Sequence, residues 1–121
     1  MVLQESGEMY LETVLVLSQK KQLVRAVDIG EEMGFSRPSV SRAVHLLKDG
    51  GFLDIEGDGA ITLTDAGREI AEKIYERHTV LTRWLVSLGV DEETAVADAC
   101  KIEHDISDKS FAAVKRHIGE A

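Results

Sequence analysis

The chain has a single cysteine, Cys100, so it can form no internal disulfide framework and gives no reason to expect an extracellular setting. Proline occurs once, as Pro38, and no segment is low in complexity or rich in linker residues. No apolar run approaches the roughly 18 residues that a membrane span needs. The segment from Met1 to Glu12 is acidic and has no basic stretch followed by an apolar one, so no secretory signal is expected. Together these absences predict a cytoplasmic protein with no membrane partner.

Basic residues are also scarce. The net charge is -8, with 14 Lys and Arg against 22 Asp and Glu. The deficit is uneven. Residues 20–48 hold six bases and three acids, whereas residues 1–19 hold three acids and no base. Residues 49–90 and 91–121 each hold eight acids and four bases. One basic segment therefore lies in an acidic chain. Such a segment can bind phosphates locally, and the acidic remainder suits a binder of cations.

What is present is globular: 121 residues, 44% of them hydrophobic, enough for a sizeable core. Leu11, Val14 and Leu15 recur at i, i+3 and i+4 and predict a helix over 6–19. A shorter helix over 26–33 closes at Gly34. Ser36 is an N-cap residue and Pro38 fits a first helical turn, so a third helix starts there and runs to Asp49. Val40, Ala43, Val44 and Leu47 give it one apolar face. The period then changes. Residues 52–56 and 60–63 alternate around Gly57-Asp58-Gly59, a strong hairpin signal. Thr64 caps a long helix over 65–88, Asp91 a helix over 92–105, and Ser107 a last one to about His117.

Two helices joined by a short turn, followed by a hairpin, have the order of a winged helix-turn-helix. The face of the third helix opposite its apolar stripe carries Arg37, Ser39, Ser41, Arg42, His45 and Lys48. A helix fits the major groove, arginine can bond guanine twice, and a helix N-terminus favours a phosphate. Arg42 is the expected base reader. Ser36, Ser39 and Lys48 are expected to position phosphates, and Arg37, Pro38 and Ser41 complete the DNA-facing set. The hairpin holds Asp54, Glu56 and Asp58 and no base, so its tip is not expected to approach the phosphate backbone closely.

A second constellation points to a metal. Cys100, Glu103 and His104 fall at i, i+3 and i+4, which on one helix would put a thiol, a carboxylate and an imidazole on one face. Met9 and Glu12 place a thioether and a carboxylate at i and i+3 of the first helix, and His78 lies on the long helix. Read singly, each is also an ordinary core or surface residue. His45 and His117 are read as non-ligands.

These residues carry a resemblance. The chain resembles the diphtheria toxin repressor family of iron- and manganese-dependent transcriptional repressors, over nearly its whole length. The matching stretches are Glu8-Met9-Tyr10-Leu11-Glu12, Phe35-Ser36-Arg37-Pro38-Ser39-Val40-Ser41, Leu63-Thr64-Asp65-Ala66-Gly67, Arg77-His78 and Ala99-Cys100-Lys101-Ile102-Glu103-His104.

The resemblance implies a mainly α fold. A winged-helix DNA-binding domain over 1–64, with a small β-hairpin wing, precedes an all-helical dimerisation and metal-binding domain over 65–121. It implies a homodimer that binds double-stranded operator DNA and represses genes of metal-ion homeostasis, with no enzymatic activity. Metal is then bound between the first helix and the dimerisation helices. Met9, Cys100, Glu103 and His104 match ligands of the iron-type primary site. Glu12 and His78 match ligands of the manganese-type branch. The sequence mixes the two patterns, and Thr82 and Val96 stand where an iron-type ancillary site would need an acid and a histidine. Either one primary site or a differently built second site is expected. Ending at Ala121, the chain also resembles short members without the C-terminal SH3-like domain.

Thiolate and thioether favour iron(II), with cobalt, nickel or zinc also able to bind, over manganese(II). Iron(II) is the first expectation and manganese(II) the second. Three other readings stay open: a winged-helix regulator sensing an organic ligand, a winged-helix protein-interaction module, and, more distantly, a metalloenzyme. The apolar stripe Val80, Leu81, Trp84, Leu85 and Leu88 is the expected dimer surface.

Overall fold

A computed structural model describes residues 5–119. In chain order they form α1 (Glu5–Lys20), α2 (Ala26–Met33), α3 (Arg37–Asp49), β1 (Leu53–Ile55), β2 (Ile61–Leu63), α4 (Asp65–Ser87), α5 (Glu92–Ile102) and α6 (Asp108–His117). The chain divides into two compact units, one reaching Glu72 and the other starting at Lys73, so α4 contributes to both. Among the described residues no helix is long and apolar enough to cross a membrane.

The first unit is a winged helix. Its core takes Leu11, Val14 and Leu15 from α1, Ile29 from α2, Val40, Val44 and Leu47 from α3, and Leu53 and Ile61 from the hairpin. Burying one such leucine contributes about 2 kcal/mol. Gly34 ends α2 in the left-handed region, at φ 73°, where a side chain would be strained. Two residues later Ser36 accepts a hydrogen bond from the Ser39 amide and starts α3, with Pro38 in the first turn. The turn between α2 and α3 is thus set by local chemistry, and it fixes which face of α3 is left outside.

β1 and β2 pair antiparallel, with Leu53 opposite Leu63, Asp54 opposite Thr62 and Ile55 opposite Ile61. The strands are shorter than their alternation suggests. The Phe52 amide bonds the Leu47 carbonyl and finishes α3 instead of entering the ladder. Glu56 and Gly59 close the turn. The wing is tied back at its tip. Asp58 accepts the Ala60 amide at 3.0 Å, and its carbonyl accepts Arg25 Nε at 3.3 Å. The Ile61 amide also bonds the Val24 carbonyl at 2.7 Å, which fastens β2 to the segment before α2.

Thr64 joins the wing to α4. Its hydroxyl donates to the Gly51 carbonyl at 2.7 Å and accepts the Gly67 amide at 3.1 Å. Gly67 then passes so close to the hairpin that a Cβ there would lie 2.0 Å from the Phe52 carbonyl oxygen.

The second unit packs α4, α5 and α6 around Val80, Leu81, Ala99 and Phe111, with Trp84, Ile102, Ile106, Val114 and Ile118 against them. Two expectations are corrected here. Val80 and Leu81 are not part of an exposed stripe, because the α5 and α6 side chains of the same unit cover them; Trp84 and Leu85 are half-buried, and of the five only Leu88 is left exposed. And α5 ends at Ile102, not near residue 105. The Asp105 and Ile106 amides both turn back onto the Ile102 carbonyl, and Ser107 then caps α6 by accepting the Ser110 amide. Glu103 is therefore the C-cap of α5, and His104 lies in the turn beyond it.

Arg77 holds that turn. Its guanidinium donates to the Glu103 carbonyl at 3.0 Å and to the Ile106 carbonyl at 2.7 Å, and pairs with Asp108 at the start of α6. It also lies 5.6 Å from the Phe111 ring centroid. Lys73, with Arg77 second, holds the Asp108 carboxyl below its ordinary value. A depressed carboxyl stabilises the fold above its unfolded pKa, and that contribution is lost as pH falls through the folded value. Acid unfolding followed by Trp84 fluorescence is therefore expected to show a flatter loss of stability below about pH 4 in Asp108→Asn than in wild type.

Candidate metal centre and nucleic-acid interface

Glu103 is the centre of the cluster of candidate ligands. It is 1% exposed, the one buried carboxylate among the described residues. A buried carboxylate is unfavourable unless it is paired or binds a cation. His78, brought up by α4, sets Nδ1 2.9 Å from Glu103 Oε2. His104 sets Nε2 3.4 Å from Glu103 Oε1, with its side chain 1% exposed. Cys100, one turn earlier on α5, places Sγ 3.7 Å from His78 Nδ1. The ligand atoms of His78, Cys100 and Glu103 all lie within 4.8 Å of one another.

The arrangement follows from local structure. Cys100 and Glu103 are three residues apart, so the last turn of α5 aligns them although Glu103 only caps it. Arg77 fixes the Glu103 backbone from below, and the next residue of α4, His78, meets its carboxylate. One stretch of α4 thus supplies both the anchor and a candidate ligand atom. A thiol, an imidazole and a carboxylate at these separations suit a divalent transition metal, whose bonds to such atoms are about 2.0–2.3 Å. The donor set of the second unit fits the metal that the resemblance implies.

Of the six residues that the sequence offers as metal ligands, the structure sets the ligand atoms of His78, Cys100 and Glu103 within 4.8 Å of one another and His104 against Glu103, while sequence reasoning finds these four places without their anchor. It misses Arg77, which enters only as part of a matching dipeptide. The available signal was position: Ile74, Arg77 and Leu81 follow the buried stripe of α4, so a charged residue occupies a core place. Met9 and Glu12 lie on α1 in the first unit, Met9 exposed and Glu12 half-buried.

On α3 the expected DNA-facing residues sit outside. Arg37, Pro38, Ser41, Arg42 and Lys48 are exposed, Ser36 is exposed at the cap, and Ser39 is half-buried against it. Val40, Val44 and Leu47 take the opposite side into the core. Arg42 lies near the middle of the outward face. The acidic wing is partly accounted for, since Asp58 is engaged by Arg25 and by its own turn, while Asp54 and Glu56 face solvent. A cleft in the first unit, lined by Val14, Leu23, Val24, Ile61 and Leu63, holds about 100 Å³. That is well below the roughly 300 Å³ where pockets for organic effectors begin.

A winged helix with a basic outward face, in a chain that also gathers sulfur, nitrogen and oxygen ligand atoms, is built as a metal-responsive DNA-binding regulator. Residues 2–61 match the family model for the N-terminal DNA binding domain of iron dependent repressors, and residues 64–121 match that for their metal binding and dimerisation domain. The chain belongs to the iron-dependent repressor family, a class of metal-dependent DNA-binding repressors.

It is 33% identical over 102 residues to the HTH-type transcriptional regulator MntR of Lysinibacillus sphaericus, covering 84% of this chain and 73% of that one. It is 33% identical over 105 residues to the iron-dependent repressor IdeR of Mycobacterium tuberculosis, covering 86% of this chain and 46% of the relative. A solved manganese-dependent transcriptional repressor complexed with manganese matches with a TM-score of 0.87 at 28% identity, over 95% of this chain and 53% of that one. The chain thus spans about half the length of the last two.

Proposed function

We propose that this chain represses genes of metal-ion homeostasis when it holds iron(II), with manganese(II) as the second metal, through His78, Cys100, Glu103 and His104. The buried Glu103 carboxylate among two imidazoles and a thiol is the observation that supports this most. The mixed ligand set favours a softer ion than manganese, which prefers oxygen. Met9 and Glu12 enter the reading through the family resemblance alone, as further ligands offered by α1. The winged helix over 1–64 is the DNA-binding domain and 65–121 the metal-binding and dimerisation domain of a cytoplasmic homodimer. Arg42 reads bases, and Arg37, Ser36, Ser39, Ser41, Pro38 and Lys48 seat α3 on the duplex.

A bound cation supplies positive charge that offsets Glu103 and the Cys100 thiolate. Cys100 and Glu103, both at the end of α5, and His78 on α4 then hold those two helices together at one point. Arg77 keeps the turn after α5 in place whether or not that charge is supplied, so the second unit is poised for the ion. Two recognition helices of a dimer must meet half-sites roughly 34–36 Å apart, so fixing the helices of each protomer selects a DNA-competent spacing.

The test is anaerobic fluorescence anisotropy on a labelled promoter fragment at one salt concentration, since salt sets the phosphate contribution. Tight binding is expected with iron(II), weaker binding with manganese(II), and at least tenfold weaker binding with chelator alone. Equal binding in chelator would overturn the metal switch and leave a constitutive winged-helix regulator. A Met9→Leu arm of the same titration decides the thioether: a ligand's loss weakens activation, and a packing residue's replacement leaves it unchanged.

A further inference from the structure

The outward face of α3 also holds the His45 ring, which has no role so far. It is exposed one helical turn beyond Arg42. Its Nδ1 lies 2.8 Å from the Ser41 carbonyl oxygen. A carbonyl oxygen can only accept, so Nδ1 must carry the proton. In the neutral ring this leaves Nε2, the outer nitrogen, as an acceptor with no proton to give.

In that neutral form the ring recognises only a hydrogen-bond donor. A phosphate oxygen only accepts, so neutral His45 has nothing to bond there. Guanine presents only acceptors in the major groove, and thymine an acceptor and a methyl group. Cytosine and adenine each present an exocyclic amine, which donates. His45 lies roughly 4.5 Å farther along the helix axis than Arg42, three residues at 1.5 Å each. A base pair rises about 3.4 Å, so the two side chains address neighbouring positions of a half-site.

We infer that His45 is a second specificity-determining residue of α3, accepting at Nε2 a hydrogen bond from the exocyclic amine of a cytosine or adenine next to the base read by Arg42. The inference rests on the proposed DNA-binding role of α3. The backbone bond to Ser41 orients the ring before DNA arrives, so little side-chain freedom is lost on binding.

The test is selection from a randomised DNA library with metal-loaded full-length protein, comparing wild type with His45→Ala, His45→Gln and Arg42→Ala. Wild type should show, in each half-site, one position restricted to cytosine or adenine beside the position that Arg42→Ala relaxes. His45→Ala should lose that preference about tenfold while leaving the Arg42 position intact. His45→Gln, whose amide oxygen still accepts, should keep part of it. Unchanged selection by His45→Ala overturns the inference, as does a guanine or thymine at the affected position. Failure of wild type to enrich any sequence with metal overturns instead the DNA-binding reading, and the inference with it. Circular dichroism of each variant shows that the helices are retained, because His45 makes no core contact.

Discussion

Glu103→Gln is expected to lower metal affinity by about 100-fold or more and to remove metal-dependent DNA binding at concentrations where wild type is saturated. Residues that merely support a metal ligand typically contribute 10–100-fold, and a charged ligand should exceed that range. A 100-fold loss is about 2.7 kcal/mol. The substitution keeps the shape of the side chain and removes the charge that faces His78 and His104. Cobalt(II) absorption would measure the affinity, and the sulfur-to-cobalt charge-transfer band would report Cys100 separately. The metal-free protein should lose little stability, because its buried negative charge has gone and Arg77 still holds the Glu103 carbonyl. Unaltered metal affinity in the folded variant would remove Glu103 from the site.

Gly67→Ala is expected to destabilise the first unit by about 3 kcal/mol, beyond the usual effect of one extra methyl group in a packed place. Intrinsic helix propensity argues for the opposite sign, since alanine is favoured over glycine by about 1 kcal/mol inside a helix. The Phe52 carbonyl decides the matter. At 2.0 Å from the new Cβ it must move, and it is backbone, held by the Thr64 amide. For a domain of this size such a loss lowers Tm by more than about 10 °C. Gly57→Ala is the control, since nothing lies within 4 Å of a Cβ there. Equal melting of the two variants would show that the junction between wing and α4 relaxes freely.

The first unit was legible in the sequence because its punctuation is local. Ser36, Pro38 and Gly34 each act on the backbone within one turn of themselves, and the end of α2 and the start of α3 follow from them. The hairpin lay in Gly57-Asp58-Gly59, but the length of its strands did not, since the Phe52 amide is taken by a carbonyl of the preceding helix. The second unit was less legible because distant partners set its details. The end of α5 depends on Arg77, 26 residues before Glu103, and a periodic pattern carries no trace of that bond. The burial of Val80 and Leu81 depends on where α5 and α6 return. For the candidate site, the spacing of Cys100, Glu103 and His104 rested on a partly wrong premise: Cys100 and His104 each come close to Glu103 although only Cys100 lies within the helix.

The lone thiol has a practical side. Cys100 is the chain's only cysteine, and it is exposed. Maleimide dyes, spin labels and other thiol-directed reagents added to the protein will therefore land on one atom, 3.7 Å from His78. With the ion held by Cys100 and its neighbours, as proposed, a probe attached that way reports on a molecule whose ligand cluster it has filled. Labels for following metal or DNA need another attachment point, and the rate of thiol modification itself becomes a gauge of how much of the protein holds an ion.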